Sequence, residues 1–105
     1  MEFIETSIFT RQIRALLTDA EYKQLQKELL SNPLLGALIK HSGGLRKARW
    51  KTRSKGKRGG IRIIYYYITE DEQIFMLFAY PKSSKDDLNS GELKMLKAIV
   101  EEELT

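Results

Sequence analysis

Ten lysine and arginine residues lie between Glu28 and Glu70, and no aspartate or glutamate lies among them. The rest of this 105-residue chain holds 8 basic and 14 acidic residues, so the net charge of +4 combines a basic centre with acidic flanks. The ten cations are Lys40, Arg46, Lys47, Arg49, Lys51, Arg53, Lys55, Lys57, Arg58 and Arg62. A block of one charge sign attracts a polyanion, which for a soluble domain is typically RNA or DNA.

Part of this block alternates along the chain. Every second position from 47 to 53 is basic, at Lys47, Arg49, Lys51 and Arg53. Alternate residues of a strand point to opposite faces, so these cations should line one face while Trp50 enters the core. Arg62 opens the next predicted strand, where an arginine on an apolar segment needs a partner. With Lys82 and Lys85 after a third strand, these side chains predict a concave basic site.

Tyrosines near the basic site have two interpretations. Their rings offer stacking surfaces for unpaired bases. Side chains of this kind in a strand are also typical of a core or of cross-strand pairs. The sequence leaves both open for Tyr65, Tyr66, Tyr67 and Tyr80.

Other common chemistries lack their sequence patterns. The chain has no cysteine, which excludes disulfides and thiolate metal sites, and no Walker loop, nucleophile elbow or metal-ligand spacing occurs. His41 stands alone and is interpreted as structural, and Asp86 and Asp87 are interpreted as helix-capping residues. With no long apolar run and no basic signal-peptide start, we expect a soluble cytoplasmic protein without a cofactor.

Hydrophobic periodicity then predicts the elements that position these residues. We expect a strand at Glu2–Glu5, a helix at 7–17 and a second helix that begins after a capping box at Thr18 and ends before Pro33. Residues 34–39 are predicted to form a short helical turn. Strands are predicted at 45–53, Ile61–Ile68 and 74–80, followed by a helix that Asp87 or Asn89 caps.

The order of these elements is β-α-α-β-β-β-α. It predicts a single α+β domain over residues 1–105, with an antiparallel meander sheet and helices on one face.

Three segments carry a resemblance to a known family. They are Asn-Pro-x-x-Gly at 32–36, Gly-Gly-Leu-Arg-Lys-Ala-Arg at 43–49 and Lys-Gly-Lys-Arg-Gly-Gly-Ile-Arg-Ile-Ile-Tyr-Tyr at 55–66. The chain resembles the RelE/HigB toxins of bacterial toxin–antitoxin pairs, most closely the HigB-2 branch. The resemblance implies a RelE-like domain and a ribosome-dependent endoribonuclease. In this family the 2′-OH of mRNA attacks the next phosphate in the ribosomal A site, without a metal, and leaves a 2′,3′-cyclic phosphate.

The resemblance also implies partners. A cognate antitoxin, expected to be a helix-turn-helix protein of the HigA type, would neutralise the toxin. The pair would bind operator DNA, and the free toxin would bind the ribosome and mRNA.

Site residues follow from matching positions. The family's paired basic residues fall near Lys47 and Arg49, its strand-opening arginine falls on Arg62, and its basic residue after the last strand falls on Lys82. Ser83 stands where the RelE branch has a second arginine. The predicted catalytic residues are Arg49, Lys51, Arg62 and Lys82. The predicted RNA contacts are Arg46, Lys47, Arg53, Lys55, Lys57, Arg58, Tyr80 and Lys85.

The chemistry of these residue types is compatible with RNA cleavage. A lysine with an ordinary pKa of about 10.4 is rarely neutral at pH 7, and neighbouring cations lower that pKa and favour a lysine base. The fork of Arg62 suits the charge that develops on a phosphorane. Two alternatives remain at this level: a gyrase inhibitor like the related ParE toxins, or a nucleic-acid-binding module without catalysis.

Overall fold

The computed structural model describes residues 1–52 and 60–104, and the predicted RNA contacts Arg53, Lys55, Lys57 and Arg58 lie outside them. The described helices are α1 (Ser7–Leu16), α2 (Asp19–Ser31) and α3 (Ser90–Leu104). The described strands are β1 (Glu2–Glu5), β2 (Ala37–Leu38), β3 (Arg46–Trp50), β4 (Ile61–Ile68) and β5 (Gln73–Pro81). The predicted α+β class is confirmed. No helix in this part of the chain is both long and apolar enough to cross a membrane.

The described strands form one mixed sheet in the order β1-β5-β4-β3-β2. The predicted antiparallel meander is present as β3, β4 and β5, while β1 runs parallel to β5 at its edge. Strand β4 therefore lies at the centre of the sheet, between β3 and β5. Residues 61–65 of β4 are positioned by register with both neighbours, and residues 66–68 pair with β5 alone.

Helices cover both faces of the sheet, so the prediction of helices on one face is wrong. Ile61 and Ile63 of β4 pack with α1 and α2 residues such as Leu25, whereas Ile64 packs on the other face with Leu96 of α3. The physical reason is the composition of β4, which is apolar at both odd and even positions. A strand that is apolar on both faces must be covered on both.

Residues 37–38 form a strand where the sequence predicts a helical turn. Ala37 pairs with Lys47 and Leu38 with Arg46. A Cβ at Gly36 would lie 2.9 Å from both the Lys47 carbonyl carbon and the Tyr65 ring, so only glycine allows this close approach. The contact with β3 overrides the local helical preference.

The helix termini follow their sequence signals, with one change that matters for the site. The capping box of Thr18 and Glu21 is present, and α2 ends at Ser31. At α3 it is Asn89, not Asp87, that caps: the Glu92 N–H donates to Asn89 Oδ1 at 2.8 Å, and the Asn89 N–H donates to Glu92 Oε1 at 3.0 Å. The carboxylates of residues 86 and 87 are therefore not used as caps.

Gly60 determines where β4 begins. Its φ is +75°, and a Cβ there would lie 2.2 Å from the Trp50 carbonyl oxygen. Its own carbonyl accepts the Lys82 N–H at 3.1 Å. Glycine allows both this φ and this close approach. The first residue of β4 can therefore pair with the last residue of β3 and the last residue of β5.

A hydroxyl on β4 holds the α2–β2 connection. The fully buried Tyr65 donates its O–H to the Pro33 carbonyl at 2.7 Å and accepts the Gly36 N–H at 2.8 Å. Burial raises the pKa of Tyr65, so this hydroxyl stays protonated and keeps its role as a donor.

Replacement Tyr65→Phe should lower the free energy of unfolding by about 1–3 kcal/mol, because it leaves the Gly36 N–H buried without an acceptor. Urea denaturation measures the loss. Tyr67→Phe is the matched control, since Tyr67 lies on the same strand face, is half-buried and has no side-chain hydrogen bond to the described residues. It should change stability by less than about 0.5 kcal/mol. Equal losses in the two variants would contradict the role of the Tyr65 hydroxyl.

Candidate nucleic-acid interface

A row of three side chains crosses the sheet on the face that carries α3. Arg49 of β3 lies opposite Arg62 of β4, and Arg62 lies opposite Tyr80 of β5. Lys47 lies two residues before Arg49 and so points to the same face. The predicted convergence of Lys47, Arg49 and Arg62 on one sheet face is therefore observed. We call the three cations Lys47, Arg49 and Arg62 the basic row.

Arg62 is buried but poorly satisfied. It is 2% exposed, and its Nη2 lies 3.4 Å from Asp86 Oδ1. Its Nε has no hydrogen-bond partner within the described residues. Buried polar groups are nearly always hydrogen-bonded, and leaving one unpaired costs free energy. The Arg62 guanidinium is thus held in place by packing, and its Nε–H donor is not used within the described residues.

Two aspartates from the segment before α3 neutralise the basic row. Asp87 forms an ion pair with Lys47, and Asp86 forms the longer one with Arg62. The hydrogen bond from Lys47 is the main cause that lowers the pKa of Asp87, so this carboxylate is charged at neutral pH. The sequence-based prediction that Asp86 and Asp87 are helix-capping residues is wrong, because Asn89 is the cap.

Tyr80 binds the segment that carries Asp86 and Asp87, which lies between β5 and α3. It is 4% exposed and donates its O–H to the Asp86 carbonyl at 3.1 Å. Burial is the main cause that raises the pKa of Tyr80 to about 12, which keeps the donor protonated. A ring buried to this extent does not offer a free face to a base, so the structure does not place Tyr80 for stacking.

Lys85 is half-buried and is engaged by side chains of its own chain. Its ammonium pairs with Glu92 and lies 5.2 Å from the Tyr80 ring centroid and 5.4 Å from that of Phe78. Contacts of this kind hold the segment to the sheet and to the start of α3. As an RNA contact, Lys85 would first have to leave these partners.

The other predicted residues are dispersed. Arg46 lies on the opposite face from the basic row and donates from Nη1 to the Gly36 carbonyl at 2.7 Å. Lys51 follows the end of β3 and Lys82 follows the end of β5, and both are exposed. The structure therefore places Lys51 and Lys82 at the strand ends near the row, and it separates Arg46 from them.

A cavity adjoins the basic row. It has a volume of about 360 Å³ and is lined by Leu35, Ala37, Lys47 and Arg49. Its apolar wall comes from residues at β2, a strand that the sequence did not predict. Across residues 1–52 and 60–104, no group of three or more histidine, aspartate or glutamate side chains converges as a metal site would require.

Comparison with known proteins identifies the family. The model of the family described as the RelE toxin of the RelE/RelB toxin–antitoxin system matches residues 1–105. The chain belongs to the RelE toxin family. Its finer placement in the HigB-2 branch stays a prediction.

Solved structures of RelE toxins share the fold. An E. coli RelE double mutant in the free state has 19% sequence identity and a TM-score of 0.59, covering 92% of this chain and 93% of that chain. The intact E. coli RelBE toxin–antitoxin complex has 22% identity and a TM-score of 0.53, covering 76% of this chain and 94% of that chain. The RelE-like fold predicted from the sequence is confirmed.

The poor pairing of Arg62 has a consequence for stability. Replacing buried ionic groups by apolar side chains of similar size is often neutral or stabilising, and the partner left behind here, Asp86, is exposed and so is not a buried charge. We expect Arg62→Met to leave the free energy of unfolding unchanged or to raise it by up to about 2 kcal/mol. Urea denaturation measures the free energy of unfolding, with one spectroscopic probe for the apolar cluster on each face of the sheet.

Arg46→Met is the matched control, because Arg46 lies one strand away and makes a short charged hydrogen bond to Gly36. Its loss should lower the free energy of unfolding by about 1.5–3 kcal/mol. A large destabilisation by Arg62→Met would mean that Arg62 is a structural residue.

Proposed function

We propose that this chain is the toxin of a toxin–antitoxin pair and a ribosome-dependent mRNA endoribonuclease that acts in the bacterial cytoplasm. The family match supports the toxin assignment. The observation that carries the nuclease assignment is Arg62, a buried guanidinium in a row of basic side chains whose Nε has no hydrogen-bond partner among residues 1–52 and 60–104. Such a group favours an incoming phosphate over solvent.

The proposed reaction is an in-line displacement within one RNA strand. The 2′-oxygen bonds to the adjacent phosphorus as its proton leaves, and the bond from phosphorus to the 5′-oxygen breaks as that oxygen gains a proton. The products are a 2′,3′-cyclic phosphate and a 5′-OH. Much of the rate would come from alignment, which contributes up to about 7–11 kcal/mol when reacting groups are well oriented.

The residues have distinct proposed roles in this reaction. Arg62 would bind the phosphorane oxygens, because its fork is rigidly held and always charged. Lys47 and Arg49 would hold the flanking phosphates. Lys51 and Lys82, exposed at the ends of β3 and β5, are the candidates for proton transfer. The ribosome would present the messenger in the aligned geometry.

Cleavage should depend strongly on Arg62. In a cell-free translation reaction read by primer extension, the wild-type chain should cut translated mRNA within codons. Arg62→Met should reduce the cleavage rate by about 100-fold or more, since removing one transition-state donor typically costs this much. Arg11→Met is the control, because Arg11 is exposed on α1, which packs on the opposite sheet face.

Cleavage by Arg62→Met at the wild-type rate would contradict the site assignment. Two other outcomes would replace the function itself. Gyrase-dependent DNA breaks with intact mRNA would indicate a ParE-like inhibitor. Salt-sensitive binding to RNA without cleavage, even on translating ribosomes, would indicate a binding module.

We also propose a cognate antitoxin, of the helix-turn-helix HigA type, that neutralises the toxin and forms with it a complex that binds operator DNA. The intact RelBE complex supports a partner of this general kind for a chain of this fold. Exposed leucines around β2 add an apolar surface of the sort that partners cover: Leu30, Leu34, Leu35 and Leu38.

Co-expression with the neighbouring open reading frame should restore the growth that the toxin alone arrests. The Arg62→Met variant, which should be tolerated by cells, allows the complex to be purified and its operator binding to be measured by mobility shift. Continued growth arrest, together with no complex between the two purified proteins, would exclude that reading frame as the antitoxin.

A further inference from the structure

The aspartates that cover the basic row are exposed, although the cations beneath them are not. The side chains of Asp86 and Asp87 are 68% and 74% exposed, whereas those of Arg62 and Lys47 are 3% and 19% exposed. Ion pairs that face solvent on one side contribute little to folding stability. The two carboxylates are therefore poorly explained as structural residues.

Each carboxylate lies where an anion would bind the basic row. Asp87 accepts from Lys47 on β3 and Asp86 accepts from Arg62 on β4. Lys47 is the diagonal neighbour of Arg62, because Arg49 lies directly opposite it. Diagonal neighbours are about 7–8 Å apart between Cα atoms, a spacing that suits two successive phosphates of one strand.

The hydrogen bonding between Asp86 and Arg62 is incomplete, and a phosphate could complete it. Asp86 reaches only Nη2, at 3.4 Å, and leaves Nε without a partner among the described residues. A phosphodiester presents two free oxygens, and arginine binds such groups with two parallel hydrogen bonds. A phosphate in place of the Asp86 carboxylate would thus engage Nη2 and Nε together.

We propose that Asp86 and Asp87 occupy two phosphate subsites of the basic row, and that an RNA strand must displace both carboxylates to bind. The inference rests on the proposed function, because it takes RNA as the ligand of this row. In the free protein the two aspartates act as internal competitors that weaken binding to polyanions in general. A substrate that makes further contacts overcomes this competition.

The segment is built so that displacement needs little movement. Its ends are held by the Ser84 N–H bond to the Pro81 carbonyl and by the Asn89 cap, and its middle is held by Tyr80 through the Asp86 carbonyl. These contacts use backbone atoms or neighbouring residues. The two carboxylates can therefore rotate away from the row while the backbone and α3 stay in place.

The test compares two double variants with equal charge changes. Asp86→Ala/Asp87→Ala removes the proposed competitors, and Glu70→Ala/Asp71→Ala removes two exposed acids at the other end of β4. The probe is a single-stranded DNA oligonucleotide, which lacks the 2′-OH and so cannot be cut by the proposed reaction. Fluorescence anisotropy at a constant salt concentration gives Kd.

The Asp86/Asp87 variant should bind roughly three- to tenfold more tightly than the Glu70/Asp71 variant, as expected when two exposed ion pairs no longer compete. Adding Arg62→Met to the Asp86/Asp87 variant should remove most of this gain. Equal or weaker binding by the Asp86/Asp87 variant, or no measurable binding by any variant, would overturn the proposal.

The result is separable from the test of cleavage. A gain in oligonucleotide affinity without ribosome-dependent cleavage would leave the phosphate subsites standing and reject the nuclease. Cleavage without a gain in affinity would leave the nuclease standing and reject the subsites.

Discussion

The register of β4 with its two neighbours is the constraint on which the rest of the structure depends. Pairing with β3 and β5 places Arg62 in line with Arg49 and Tyr80 on one face. The same pairing sends Ile61, Ile63 and Tyr65 to the other face, against α1 and α2. A shift of one residue would place Arg62 in that apolar core and Ile63 in the site, so the packing of both faces enforces a single register.

Burial makes Arg62 effective as well as costly. A guanidinium packed on the central strand, between Arg49 of β3 and Tyr80 of β5, loses little conformational freedom when it binds, and its charge acts in a medium of low dielectric constant. Within the part of the chain that the structure describes, the same burial leaves Arg62 with a long contact to Asp86 and an Nε that has no hydrogen-bond partner. The incomplete hydrogen bonding of Arg62 lowers the stability of the folded chain, and a bound anion could accept the hydrogen bonds that Arg62 lacks.

The charge distribution has a different meaning in the folded chain than in the sequence. Along the chain, the cations from Lys40 to Arg62 have no acidic neighbour. In the fold, Asp86 and Asp87 reach them from 24 and 40 residues away, and Tyr80 holds the segment that carries these acids. The basic row is therefore a regulated surface, in which the protein's own carboxylates compete with outside anions for the same donors.

Local patterns determined much of this protein. The capping box at Thr18, the stop before Pro33 and the alternation of β3 depend on neighbours within a few residues, so the sequence predicts them correctly. The same alternation predicts that Lys47 and Arg49 share a face with Arg62. These features are settled by backbone stereochemistry and side-chain period alone.

Only the tertiary structure decided the second helical layer, β2 and the partners of the basic row. Strand β2 joins the sheet because Gly36, which precedes it, fits closely against Lys47 and Tyr65. Asp86 and Asp87 are available to pair with the cations because Asn89 caps α3. Contacts between residues far apart in the chain select among local options that differ little in energy. Sequence thus placed the cations on one face, and the fold determined which of them are buried, which are paired and which acids cover them.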